Sequence, residues 1–437
     1  MDSISIFVLI FILFFLSSIP SKATSDLFPK QALPTKSGYL PINSTSGSAT
    51  FFAFYEAQHP ISSLSQTPIL FWLEGGPGCS SMIANFLGLG PWKIYSNTKS
   101  NESSILKPNP GTWNHKFGLV FIDNPIGTGF SIASTPEEIP KDQETVAKHL
   151  FIALKSFISL DPLFNSRPIY ITGESYGGKF APSLGYYILQ HNSRSRISSQ
   201  VNLRGVAIGN GLTHPVTQVT THAATAYFTG LINEKQRTQL EGLQDEAVRL
   251  TREGKWTEAA DARTLALDWL QNVTGLATLF DIRRKKPYEV ERVTEFLKKE
   301  DIKKALGVEK SIIWEGCSSI VGKALHEDVM KSVKFMVEEL VKKSKVLLYQ
   351  GQFDLTYGVV STEAWIKELR WEGLERFLMA DRKVWAVNGE VAGYVQRWGS
   401  LTEVVVLGAG HIVHFDQLES SQAMIEDWVL ERGLFGD

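Results

Sequence analysis

What most constrains this chain is a series of six short apolar runs, each closing on Gly, Asp, Asn or the residues beside them. They are PILFWLEGG (68–76), GLVFIDNP (118–125), PIYITGES (168–175), GVAIGNG (205–211), KVLLYQGQFD (345–354) and EVVVLGAGH (403–411). Runs that are apolar on both faces suit strands buried inside a mostly parallel sheet. Helical patterns lie between them. Ala147, Leu150, Phe151, Leu154, Phe157 and Ile158 form one apolar face before the third run, and Phe180, Leu184, Tyr187 and Ile188 form another after it. This alternation predicts an α/β sheet with helices on both faces. Residues 37–57 place turn residues between β-rich runs and read as an antiparallel hairpin on the sheet edge.

From about residue 233 to 306 the buried-strand runs disappear. Leu240, Leu243, Ala247 and Leu250 fall at helical spacing, as do Ala262, Leu265, Trp269 and Val273, and then Val290, Val293 and Leu297. The expected organisation is a core in two parts, residues 24–212 and 331–437, split by a mainly helical insertion at 213–330. An insertion at the carboxyl edge of a sheet is placed to cap a site.

Residues 1–23 read as a cleaved signal peptide. An apolar block of about 13 residues, from Ile4 to Leu16, precedes the small residues Ser21 and Ala23. The block is short for a membrane span, and no later run is long enough. Secretion, with a vacuolar or lysosome-like destination as a further option, fits the sequons at Asn43, Asn101 and Asn272. There are two cysteines, Cys79 and Cys317. An oxidising route favours one disulfide over two buried thiols. The net charge of −2 supplies no electrostatic case for nucleic acid or an anionic membrane.

The segment GESYG (173–177) carries the chemistry. A strand that turns at once into a helix leaves Ser175 strained and lifted above the sheet, and glycines on either side relieve collisions. A serine hydroxyl needs a base to take its proton. Asp354 and His411 each follow a buried run and complete the order nucleophile, acid, histidine. His411 would move the proton, and Asp354 would orient the imidazole and stabilise its charge. EGGPG (74–78) follows the first run, so the Gly76 and Tyr176 N–H groups are the expected oxyanion donors. A metal pair of His411 and His414 lacks a third ligand in the sequence, and no metal or cofactor is expected.

Together FWLEGGPGCSSM, FIDNPIGTGFS, ITGESYGGKFAPSL, GQFDLTYG and GAGHIVHFDQ resemble the ordered motifs of the serine carboxypeptidase family, with the flavour of its plant and vitellogenic-like members. The likeness runs from about Gly38 to the C-terminus. It implies the α/β-hydrolase fold with a helical insertion, and Ser175, Asp354 and His411 as the triad. It also implies a Cys79–Cys317 bridge and a peptide substrate held by its C-terminal carboxylate through Trp72, Glu74, Gly75 and Glu174. Family members include dimers, and no stretch here marks an interface.

One departure stands out: Glu74 occupies a position where the family pattern has Asn. An ionised glutamate would repel a carboxylate, so Glu74 and Glu174 assist only when protonated. The expectation is an acid-range carboxypeptidase. The alternatives are an acyltransferase using sugar-ester donors and a non-catalytic secreted binding protein, the latter disfavoured by the intact serine, histidine and aspartate. GESYGG in place of GESYAG is a smaller change.

Overall fold

The computed structural model describes residues 28–96 and 104–436; the signal segment 1–23 and the Asn101 sequon lie outside them. The strands are β1 (Lys36–Asn43), β2 (Ser48–Tyr55), β3 (Ile69–Leu73), β4 (Trp92–Ser96), β5 (Ser104–Pro108), β6 (Gly118–Ile122), β7 (Ile169–Glu174), β8 (Leu203–Gly209), β9 (Lys345–Gly351), β10 (Lys383–Val387), β11 (Glu390–Trp398) and β12 (Leu401–Val406). Ten of them form one sheet in the order β1-β2-β6-β3-β7-β8-β9-β12-β11-β10.

The six runs singled out above are β3, β6, β7, β8, β9 and β12, and they pair in parallel. Every residue of β3, β6 and β12 is buried, as helices on both faces require. The hairpin is β1–β2, antiparallel, with β2 also antiparallel to β6. Two features had not been expected. β10 and β11 extend the sheet antiparallel beyond β12, and β4–β5 make a separate ribbon.

Helix Gln143–Ser159 starts at Asp142, whose side chain accepts from the Thr145 N–H, and its apolar face meets the sheet. Helix Gly177–Arg194 packs beside it, with Phe180, Ala181, Leu184 and Ile188 buried. Both helices join the core cluster that includes Phe71, Val120, Ile171 and Leu348.

Between β8 and β9 the chain is helical. Helices Glu234–Arg252 and Trp256–Thr274 pack on each other and on the short helix His222–Phe228. The first begins with Asn233 in a reciprocal capping arrangement with Gln236. Their small clusters meet the rest of the fold at Leu355, on the loop after β9, and at Val329 and Met330. The following helices, Glu291–Leu297 and Glu300–Leu306, behave differently. Val293, Phe296, Ile302 and Leu306 pack into the main core with Phe28 and Phe86. No helix among the described residues is long and apolar enough to cross a membrane.

Candidate active site

Ser175 follows β7 directly and has φ of 60°, a left-handed conformation that a non-glycine residue adopts only under constraint. The constraint is visible. The Ser175 N–H donates to the Gly209 carbonyl at 3.0 Å, and its own carbonyl accepts from Gly178 and Leu212. A methyl at Gly173 would stand 2.8 Å from the Gly177 carbonyl oxygen, and one at Gly177 would stand 2.5 Å from the Leu73 carbonyl oxygen. The glycines therefore let strand, turn and helix crowd together, as the motif predicts.

Asp354 and His411 meet at 2.7 Å, through Oδ2 and Nδ1, and both are buried. Every other partner of Asp354 donates. The Thr356 N–H and hydroxyl reach Oδ1 at 2.7 and 2.6 Å, and Asn210 Nδ2 and the Tyr357 N–H reach Oδ2 at 2.7 and 3.2 Å. Both Asp354 oxygens thus accept from a surrounding ring of donors. The His411 ring stacks on Phe280, 4.4 Å between centroids. Its Nε2 is buried with no protein partner. Burial alone would push the His411 imidazole down; the Asp354 charge and hydrogen bond outweigh it, and the net direction is up.

The EGGPG loop lies against the serine turn. A methyl on Gly75 would sit 2.7 Å from Ser175 Cβ and 2.8 Å from the Tyr176 nitrogen. Gly76 has φ of 109° and is exposed. Cys79 and Cys317 form a disulfide. Around it Ser80 N–H donates to the Gly316 carbonyl and Ser318 N–H to the Gly78 carbonyl, both at 2.8 Å, so the bridge fastens this loop to the end of the helical segment.

Glu74 and Glu174 occupy one buried neighbourhood. Trp72 Nε1 donates to Glu74 Oε2 at 3.0 Å. Burial, then the Glu174 charge, push the Glu74 carboxyl up to about 7. Burial likewise pushes Glu174 up to about 8. His414, weighed in the sequence only as a metal ligand, sits here instead. Its ring meets Trp72 edge-on at 5.2 Å, and its Nδ1 stands 3.4 Å from Glu174 Oε2. Burial lowers it to about 4, so it is neutral. The Tyr349 hydroxyl, also buried and without a protein partner, lies under the same acids, whose charges add to burial in holding it well above the usual phenol range.

Sequence reasoning missed Asn210, Thr356, Phe280 and Asp328. Asn210 has φ of 40° at the end of β8, and that position just beyond a buried run was the available signal. Asp328 accepts from the Tyr176 hydroxyl at 2.6 Å and from Gln143 at 2.8 Å, and pairs with the buried Lys179 at 3.2 Å. This network holds the residue after Ser175 to the segment returning from the insertion. Asn43 and Asn272 are both exposed.

A serine on a strand-to-helix corner after β7 and a buried aspartate–histidine pair on the loops after β9 and β12 make up the candidate site on an α/β sheet. The particular class follows from comparison: the chain belongs to the serine carboxypeptidase family, whose model matches residues 27–431. It is 54% identical over 411 residues to serine carboxypeptidase-like 50 of Arabidopsis thaliana, covering 94% of this chain and 90% of that one. It is 35% identical to the probable serine carboxypeptidase CPVL of Dictyostelium discoideum, covering 93% of this chain and 79% of that one. Its fold is similar to the crystal structure of Kex1(delta)p, a prohormone-processing carboxypeptidase from Saccharomyces cerevisiae. The TM-score is 0.81 at 26% identity, over 91% of this chain and 92% of that one. The chain is accordingly a serine-type carboxypeptidase with the α/β-hydrolase fold.

Proposed function

We propose that this carboxypeptidase releases C-terminal residues from peptides at acidic pH through an acyl-enzyme on Ser175. Ser175 Oγ attacks the last peptide carbonyl while His411 Nε2 takes its proton. The Gly76 and Tyr176 N–H groups receive the developing oxyanion. His411 then returns the proton to the leaving amine, and water cleaves the ester by the same route reversed. The observation that carries this reading is the 2.7 Å Asp354–His411 contact, with an unpaired Nε2, on the sheet edge that also carries Ser175.

Trp72, Glu74, Gly75 and Glu174 are assigned to the substrate carboxylate. Protonated carboxyls donate to an anion, and the raised values of Glu74 and Glu174 keep them protonated through the acidic range. That supports a peptide with a free terminus over a sugar-ester acyl donor, which needs no carboxylate site. The helical insertion is read as a cap, the N-terminal segment as a secretion signal, and the exposed Asn43 and Asn272 as glycan acceptors. The test is release of the last residue from N-blocked dipeptides against dipeptides whose C-terminus is amidated. Preference for the free acid below pH 7 supports the reading. Equal rates on both, or product only from ester donors in the presence of an acceptor alcohol, contradicts it.

A further inference from the structure

Strand order places the site residues on two sides of Ser175. Ser175 follows β7; Glu74 follows its neighbour β3 on one side, whereas Asn210, then Asp354 and Tyr357, follow β8 and β9 on the other. On the reading above, a peptide whose terminal carboxylate rests on Trp72 and Glu74 sends its acyl portion over Ser175 toward Tyr357. Tyr357 is buried there, its ring 5.9 Å from the His411 ring.

Arg263 stands over Tyr357. It comes from helix Trp256–Thr274, donates from its guanidinium to the Tyr357 hydroxyl, and lies 5.5 Å from the ring centroid. The helix is held in place by buried Ala266 and Leu270, which share a cluster with Leu355 on the loop beneath it, and by buried Ala259 and Ala260 in a neighbouring cluster. Arg263 is half-buried, and among the described residues no carboxylate pairs with it. The acids close by in sequence or space are otherwise engaged: Asp261 with His326 at 2.9 Å, and Asp328 with Lys179 and Tyr176. Burial, with no acid to offset it, lowers the Arg263 guanidinium to about 10. A partly desolvated guanidinium without a counter-charge, one side chain away from the catalytic histidine, is matched by an anion brought with the substrate.

We propose that Arg263 forms a subsite for an acidic side chain at the penultimate residue of the peptide, so that the enzyme favours Glu or Asp on the acyl side of the bond it cuts. This rests on the carboxypeptidase reading and adds a specificity to it. A planar guanidinium presents two parallel donors to a carboxylate, and Tyr357 fixes its orientation.

The experiment measures kcat/KM at about pH 6, where a substrate glutamate is ionised, on N-blocked dipeptides sharing one terminal residue and carrying Glu, Leu or Lys before it. Glu should exceed Lys by about tenfold or more. Arg263→Leu should bring that ratio down about tenfold, and Arg263→Glu should invert it. A wild-type ratio near one, or a ratio that Arg263→Leu leaves alone, overturns the subsite while the carboxypeptidase reading stands. Silence on every peptide overturns the carboxypeptidase chemistry. Equilibrium binding of the N-blocked Glu dipeptide to Ser175→Ala, with and without Arg263→Leu, then decides the subsite by itself. About tenfold weaker binding supports it, and equal binding rejects it.

Discussion

Glu174 Oε2 and His414 Nδ1 stand 3.4 Å apart, both buried and each without another protein partner on that atom. Neither can bear its charge cheaply there. Burial drives the carboxyl up to about 8 and the imidazole down to about 4, so between those limits the pair is neutral with its proton on Glu174. A second acid, Glu74, lies across Trp72 in the same state. The end of the site proposed to hold the substrate carboxylate thus consists of neutral groups that can donate.

The first consequence is a pH limit on binding. Glu74 donates to a substrate carboxylate below about pH 7 and repels it above. KM for free-acid dipeptides should rise about tenfold per unit above about pH 7, where Glu74 loses its proton, and more steeply above about 8, where Glu174 loses its own. Glu74→Gln, which donates at every pH, should flatten that rise. The acid limb should follow His411, which must be neutral to act as base and whose proton is held more tightly than in a free imidazole. KM and kcat/KM measured from pH 5 to 9 on wild type and Glu74→Gln check the two limbs, the alkaline one in KM and the acid one in kcat/KM.

The same groups make stability pH-dependent. Glu74 and Glu174 bind a proton more tightly folded than unfolded, so their contribution is full below the unfolded carboxylate range and is lost as pH rises through about 7 and 8. His414 has the opposite sign. Its folded value of about 4 lies below the unfolded one, so its contribution is present above about pH 6.5 and lost as pH falls toward 4. Two acids outweigh one histidine, so the melting temperature should fall between pH 5 and 8. Glu74→Gln should lessen that slope, with scanning calorimetry as the measurement; an unchanged slope would mean that Glu74 is already ionised at pH 5.

Asn210 links two strands to Asp354. Its Nδ2 donates to Asp354 Oδ2, and its Oδ1 accepts from the Gly351 N–H at 3.1 Å. Asn210→Ala leaves a buried donor and a buried carboxylate each short of a partner, at a cost of about 2–3 kcal/mol. The expected result is a lower melting temperature and a fall in kcat of about tenfold with KM little altered. A fall in KM-dependent binding alone would place Asn210 outside the aspartate's support.

The Cys79–Cys317 bridge closes a sequence separation of 238 residues. Chain-entropy reasoning assigns such a loop about 5 kcal/mol at most. Because the bridge also anchors the Gly75–Gly78 loop, Cys79→Ser with Cys317→Ser should lower both thermal stability and kcat. A variant that melts earlier but turns over at the wild-type rate at 20 °C would separate the bridge from the oxyanion loop.

Much of this was legible because buried strands and a nucleophile corner leave local marks. The six apolar runs became the six parallel strands, and GESYG carried its own geometry in its glycines. β10 and β11 were passed over because they alternate with exposed charge; Lys383, Val384, Glu390 and Val391 are all exposed. A signal existed in Asn388-Gly389, both at positive φ in the turn joining them. The helices at 291–306 read as part of one insertion, yet their apolar faces seek the core beside Phe28 and Phe86, a partnership between distant segments that periodicity cannot specify. Arg263 and His414 looked like ordinary helix and loop residues for the same reason. Their meaning lies in the absence of a counter-charge around one and of any protein hydrogen-bond partner around the other, and that is set by tertiary packing.

In the proposed mechanism Ser175 attacks the final peptide bond of a substrate held by its free carboxylate. Its most direct test is amino-acid release from an N-blocked dipeptide at about pH 6.5, where part of His411 is neutral and Glu74 still holds its proton, wild type against Ser175→Ala, with circular dichroism to establish that both are folded. Wild type should turn over, and the variant should lose about four orders of magnitude or more in rate. A folded Ser175→Ala protein that still releases the terminal residue at a comparable rate would contradict it.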